Sequence, residues 1–328
     1  MVANLLVGPA DIRPADILAL VLAQWQSLWP GEPLAPTLPT WQQTILWQVR
    51  LPRVLTAVLV GAALAVSGAV LQGLFRNPLA SPSVLGVASG ASLGAVLAIF
   101  FGLAARFTWA LPLFAILGAM ATLFLVYGIA SRRGQTPIAT LLLAGIAVGA
   151  FNVAMGSFVL ALALESWEVG RTIVYWTMGG LDGRTWDHVL LLTPVLCAGL
   201  ALVLAQQRAL DALLLGEVHA AALGVDVART RWLLLIATAL LTGTAVAVAG
   251  GIAFVGLVVP HIVRLLAGPQ HRRLLPLAAV GGGLILAGAD LLLRGLFGEH
   301  NIPLGVVTAA LGAPFFLFLL VRQQTGST

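Results

Sequence analysis

The chain contains no lysine; all 17 of its basic residues are arginine. A phosphate-binding Walker A loop needs Gly-Lys-Ser/Thr, and Schiff-base chemistry needs a lysine amine, so both are excluded. Any ATP used must be bound by another chain. A single cysteine, Cys197, excludes an internal disulfide, and within its apolar run it reads as a small packed residue. The five histidines show no metal-ligand spacing, HExxH is missing, and no nucleophile–base pair can be assigned from spacing. No catalytic residue, metal or cofactor is therefore expected. Charge is scarce as well, at 9% of residues against about 25% in soluble domains. That scarcity excludes soluble and disordered classes.

What is present is apolar: 60% of the 328 residues are hydrophobic, with a mean hydropathy of +1.02. A membrane span takes about 20 such residues. Nine apolar runs are legible, at roughly 51–75, 84–104, 108–130, 136–164, 188–205, 232–250, 252–268, 274–297 and 303–321. The fold class expected is an all-α polytopic transmembrane bundle of about nine spans. The run at 252–268 holds Pro260 and is expected to be short or kinked.

Three segments are expected. Residues 1–43 hold an apolar stub, Met1–Gly8, then an interfacial helix over Asp11–Trp29 and a loop punctuated by Pro30, Pro33, Pro36 and Pro39. Residues 44–322 form the membrane domain, with a polar interval at about 206–231, and residues 323–328 form a tail. Alternating the spans places ten arginines on the side of Arg76, Arg208, Arg229 and Arg231, and seven on the side of Arg50, Arg53 and Arg294. The positive-inside rule makes the first side cytoplasmic, so 206–231 is an inner loop. The arginines stand singly or in pairs between apolar runs, which is not the clustered footprint of a nucleic-acid binder.

Gly86, Gly90 and Gly94 form GxxxGxxxG in an apolar run, a spacing that favours close helix packing in lipid. Asn77-Pro78-Leu79-Ala80-Ser81-Pro82 interrupts two runs at the inner side; it is either an ordinary turn or a constriction loop, since non-helical backbone at membrane depth must be buried or line a cavity. Asp290 and Arg294 stand four apart and read either as a local ion pair or as functional intramembrane charge. Arg50 and Arg53 could join Arg294 in a basic patch at the outer mouth.

Trp47-Gln48-Val49-Arg50-Leu51-Pro52-Arg53, Asn77-Pro78-Leu79-Ala80, Leu141-Leu142-Leu143-Ala144-Gly145, Tyr175-Trp176-Thr177-Met178-Gly179-Gly180, Phe254-Val255-Gly256-Leu257-Val258-Val259-Pro260-His261 and Gly312-Ala313-Pro314-Phe315-Phe316 occur in that order. This ordered set resembles the permease family of type II ABC importers for iron chelates, haem and cobalamin, over about residues 44–322. The resemblance implies a homodimer in the inner (cytoplasmic) membrane, two cytoplasmic ATP-binding subunits and a periplasmic substrate-binding protein. It implies a coupling loop that meets the ATPase through Leu210, Leu215, Gly216, Glu217, Ala221, Leu223 and Gly224. It also implies an inner gate at Asn77 and Leu79, with a second gate loop at Ile138 and Ala139, and docking of the binding protein on Arg50, Arg53 and Arg294. Relatives have ten spans, so the first span is expected to be truncated here or to start upstream. The cargo expected is an iron chelate, siderophore or haem, with cobalamin as the alternative. An ion-driven secondary transporter is a weaker reading, because only Asp290 lies well inside a run.

Overall fold

The computed structural model describes residues 2–6, 17, 39–131, 137–298 and 302–325. The interfacial helix and proline-rich loop expected before residue 39 lie outside them, apart from Ile17. Every regular element among the described residues is a helix: α1 (Val2–Leu6), α2 (Thr40–Phe75), α3 (Val87–Phe100), α4 (Leu103–Arg106), α5 (Ala110–Ala130), α6 (Ile138–Ala163), α7 (Trp167–Thr177), α8 (Trp186–Ala205), α9 (Gln207–Leu214), α10 (Glu217–Ala222), α11 (Val227–Ala249), α12 (Val255–Ala267), α13 (His271–Phe297) and α14 (Leu304–Thr325).

A helix meets each expected apolar run. Six (α2, α5, α6, α8, α11 and α13) are long and apolar enough to cross a membrane, while α3, α12 and the apolar part of α14 are shorter. The boundaries moved where polar side chains mask a helix. α2 begins at Thr40 rather than Leu51, because the backbone continues without a break through a π-helical stretch, Ile45–Arg50. α7 lies outside the runs because Glu168 and Arg171 interrupt its hydropathy, although Gly170 and Ile173 are buried on its inner face.

α2 is the axis of the bundle. Its most apolar stretch is 83% buried, against 22% for α6 and 17% for α8. It packs chiefly on α13, and also on α11, α12 and α8. Lipid tails are as apolar as leucine, so the hydrophobic effect does not drive spans together; dense van der Waals contact does. Glycine supplies that contact. A Cβ on Gly61 would lie 2.2 Å from the Gly282 carbonyl oxygen of α13, and one on Gly68 would lie 1.6 Å from that of Gly256 in α12.

The GxxxGxxxG segment acts in two parts. Gly90 and Gly94 press α3 onto Gly118 and Phe114 of α5, as expected of small residues in lipid. Gly86 instead caps α3 from outside, with a left-handed φ of 73°, and meets Gly145 and Gly149 of α6. The motif is therefore not contained within one helix. The outlying α6 is further tied in by Asn152, 6% exposed, whose Nδ2 donates to Thr122 Oγ1 of α5 at 2.9 Å.

Gly68→Ala should lower the denaturation midpoint of the purified protein in detergent, costing about 3 kcal/mol, the upper end of overpacking penalties. Gly128→Ala, where a Cβ meets nothing within 4 Å, should change it by less than about 0.5 kcal/mol.

Candidate functional site

At the expected outer mouth a buried carboxylate gathers two arginines. Asp290 is 1% exposed. It accepts from Arg53 Nε at 3.0 Å and Nη2 at 2.8 Å, and Arg294 Nε lies 3.1 Å from its other oxygen. The sequence spacing thus marks a real i,i+4 pair, to which α2 adds a second cation. Arg53 Nη1 also holds the exposed Asp182 at 2.5 Å. Arg294 Nη2 donates to Asn4 Oδ1 at 2.6 Å, and Arg50 Nη1 donates to the Leu5 carbonyl at 2.6 Å. Of the three arginines expected as a docking patch, Arg53 and Arg294 share Asp290, while Arg50 and Arg294 both hold α1. Within this chain they are mostly enclosed, Arg50 at 5% exposure and the side chains of Arg53 and Arg294 at 15% and 14%.

Beside this network lies a cavity of 720 Å³ walled by α7, the loop after it and the start of α14. Beneath it the loop after α7 meets the end of α11 with its following loop, and the first turn of α14. The Gly180 N–H donates to the Ala249 carbonyl at 2.9 Å, and the Gly305 N–H donates to the Gly179 carbonyl at 3.3 Å. A Cβ on Gly250 would sit 2.1 Å from the Trp176 carbonyl oxygen, and one on Gly305 would sit 2.2 Å from those of Gly251 and Met178. Gly179 and Gly250 also take φ of 75° and 67°, which L side chains avoid.

At the expected inner side, α2 ends in a Schellman turn. Arg76 takes φ 50°, the Arg76 N–H bonds the Gly73 carbonyl, and the Asn77 N–H bonds the Gln72 carbonyl, each at 3.2 Å. Asn77 Oδ1 then accepts from the Leu79 N–H at 2.9 Å, an Asx turn. Leu79 is exposed. Ile138 and Ala139 stand in the first turn of α6 rather than in a loop, since Pro137 starts that helix with its fixed φ.

The interval 206–231 folds into α9 and α10, joined at Gly216. α9 buries Leu210 and Leu213, and its Asp211 holds His271, the first residue of α13, through the backbone N–H at 3.0 Å and ring Nδ1 at 2.6 Å. Glu217 pairs with Arg231 of α11. Of the expected coupling residues, Leu210 and Gly216 are buried, whereas Leu215, Glu217, Ala221, Leu223 and Gly224 are exposed. Leu215, Val218 and Leu223 are 65%, 81% and 67% exposed, an apolar set that water would not favour uncovered. A Cβ on Gly216 would lie 3.6 Å from Arg76 Nη1, so this joint adjoins the turn at Asn77. Asp182, Arg184 and Arg76 have no local spacing that flags them; their neighbours come from distant helices.

Asp290→Asn should destabilise the protein by about 3–5 kcal/mol, because two enclosed cations lose their counter-charge. Asp182→Asn, at an exposed partner, should cost no more than about 1 kcal/mol. Thermal unfolding in detergent distinguishes the two.

A glycine-sealed helical bundle, with an ion-paired cluster at one end and an exposed apolar pair of short helices at the other, is an architecture suited to a membrane transport component. The chain belongs to the FecCD transport family, whose sequence model matches residues 1–322. It is 48% identical over 90% of its length, and 80% of the relative's, to the cobalamin import system permease protein BtuC of Halobacterium salinarum. It is 42% identical to the vitamin B12 import system permease protein BtuC of Klebsiella pneumoniae, covering 97% of this chain and 94% of that one. Among solved structures it is similar to a metal-chelate type ABC transporter in an inward-facing conformation, with a TM-score of 0.80 and 35% identity, covering 94% of this chain and 98% of that one.

Proposed function

We propose that this chain is the permease subunit of a binding-protein-dependent ABC importer, and that its cargo is a cobalamin-type corrinoid. The observation that carries the cargo is the 48% identity, across 90% of the chain, to a permease named for cobalamin import. This reverses the order expected from the sequence, where an iron chelate stood first. Pore walls of glycine, alanine and leucine carry little cargo-specific chemistry, so the motifs could name the family without ranking its cargoes.

On this reading the chain acts as a homodimer in the inner membrane, spanning it with residues 44–322. ATP-binding subunits cover Leu215, Val218 and Leu223. Their movement reaches the gate at Asn77 and Leu79 because Gly216 stands beside Arg76, and Ile138 and Ala139 form its other wall. A binding protein docks at the outer mouth on Arg53, exchanging one of its carboxylates for Asp182, with Arg50 and Arg294 shaping the same rim. An ion-driven carrier is disfavoured: Asp290 is the buried acid among the described residues, and two arginines already occupy it.

Reconstituted with its ATPase and binding protein, the chain should import cyanocobalamin; uptake of a ferric siderophore with none of cyanocobalamin would overturn the cargo. Val218→Glu should cut the ATPase retained on the purified permease at least about tenfold, since a carboxylate buried in an apolar contact costs several kcal/mol. Undiminished retention would place the coupling surface elsewhere.

A further inference from the structure

The start of α13 is poorly made by its own sequence. Gln270, the residue before it, gives no side-chain cap, and the first turn holds no acid. It holds Arg272 and Arg273 instead, and cations oppose the positive end of a helix dipole. The missing acceptor comes from another element. Asp211 of α9 accepts from the His271 backbone N–H at 3.0 Å and from its ring Nδ1 at 2.6 Å, both through Oδ1. A carboxylate at a helix N-terminus satisfies a free N–H and complements the dipole. The short helix α9 thus caps the long helix α13 from outside.

His271 is wedged as well as bonded. It is 0% exposed, and a Cβ on Gly73 would lie 2.4 Å from its Nε2. The ring therefore rests on bare backbone in the last turn of α2, so one side chain meets α2, α9 and the start of α13. The Asp211 side chain stays 37% exposed, and replacing it opens no hole in the packed bundle. α13 packs chiefly on α2, and its 27 residues span about 40 Å at about 1.5 Å per residue. A displacement applied at His271 is therefore applied to the pair of helices that forms the axis of the bundle.

We infer that Asp211 and His271 are positioning residues that link α9 to α13, so that α13 follows the coupling loop when the ATP-binding subunits move it. The inference rests on the permease reading above and adds a second route to the one from Gly216 toward the gate. It names the span that is driven and the two side chains that drive it.

The test uses the complete importer, permease and ATP-binding subunits in proteoliposomes with the binding protein, and reads ATP hydrolysed per cyanocobalamin imported. Asp211→Ala should raise that ratio about fivefold, the low end of coupling between sites. Asp211→Asn should restore most of the wild-type ratio, because the amide oxygen still accepts both hydrogen bonds. Asp226→Ala is the control. Asp226 caps its own helix, α11, through the Arg229 N–H at 3.0 Å, so this variant loses a cap without losing a link, and its ratio should match wild type. Amide hydrogen exchange in the first turn of α13 should quicken in Asp211→Ala and not in Asp226→Ala. If Asp211→Ala does not assemble, His271→Ala takes its place; it keeps the backbone hydrogen bond, loses the ring's, and should raise the ratio less. An unchanged ratio, unchanged exchange in Asp211→Ala, no rescue by Asp211→Asn, or an equal rise in Asp226→Ala would each overturn the link. A wild type that imports a ferric siderophore in place of cyanocobalamin is measured with that cargo, so the corrinoid reading can fail while the link stands. ATP-driven uptake of neither sinks the permease reading, and the link with it.

Discussion

Two helix backbones can touch where glycine leaves no side chain between them, and this bundle depends on that contact at its centre. Gly61 against Gly282 and Gly68 against Gly256 bring α2 within backbone distance of α13 and α12. Nothing in hydrocarbon would otherwise force those helices together. Because α2 is enclosed along most of its length, its two ends stand at fixed places relative to the surrounding helices. One end presents Arg53 to the outer network and the other presents Arg76 and Asn77 to the inner loop. Both faces of the molecule thus take their positions from glycines in the middle.

The outer network follows a different rule. An intramembrane carboxylate is tolerated when its charge is met, and Asp290 is met twice, by Arg294 four residues on and by Arg53 from α2. Arg53 in turn has one enclosed and one exposed partner, Asp290 and Asp182. The enclosed pair holds the arginine in place, while the exposed one competes with water and can exchange. A single side chain therefore joins the packed interior to the surface.

Much of the architecture was legible because the membrane imposes a crude, long-wavelength signal. Apolar runs located the nine apolar helices among the described residues, and Pro260 correctly marked α12 as a short one, Val255–Ala267. The signal failed where helix and apolarity part company: α7 carries Glu168 and Arg171, and α2 extends through Gln42, Gln43, Gln48 and Arg50. It failed again for Gly86, whose spacing matches Gly90 and Gly94 although its backbone is left-handed. The site was legible in pieces. Asp290–Arg294 follows from helical spacing, but Arg53 is 237 positions from Asp290, and no local pattern encodes that distance. Likewise a coupling loop at 206–231 could be expected from resemblance, whereas the nearness of Gly216 to Arg76 depends on how the bundle closes.

The joint beneath the outer cavity has a mechanical consequence. Its three strands of chain meet through carbonyls and bare α-carbons, with the Gly180–Ala249 and Gly305–Gly179 hydrogen bonds across them. Interlocked side chains move past one another only by changing rotamers, which makes packed interfaces jump between discrete arrangements. Smooth backbone surfaces have no such teeth. What resists sliding between the end of α7, the end of α11 and the first turn of α14 is therefore the pair of hydrogen bonds across them, and the joint works as a pinned seam in a bundle that is elsewhere keyed together.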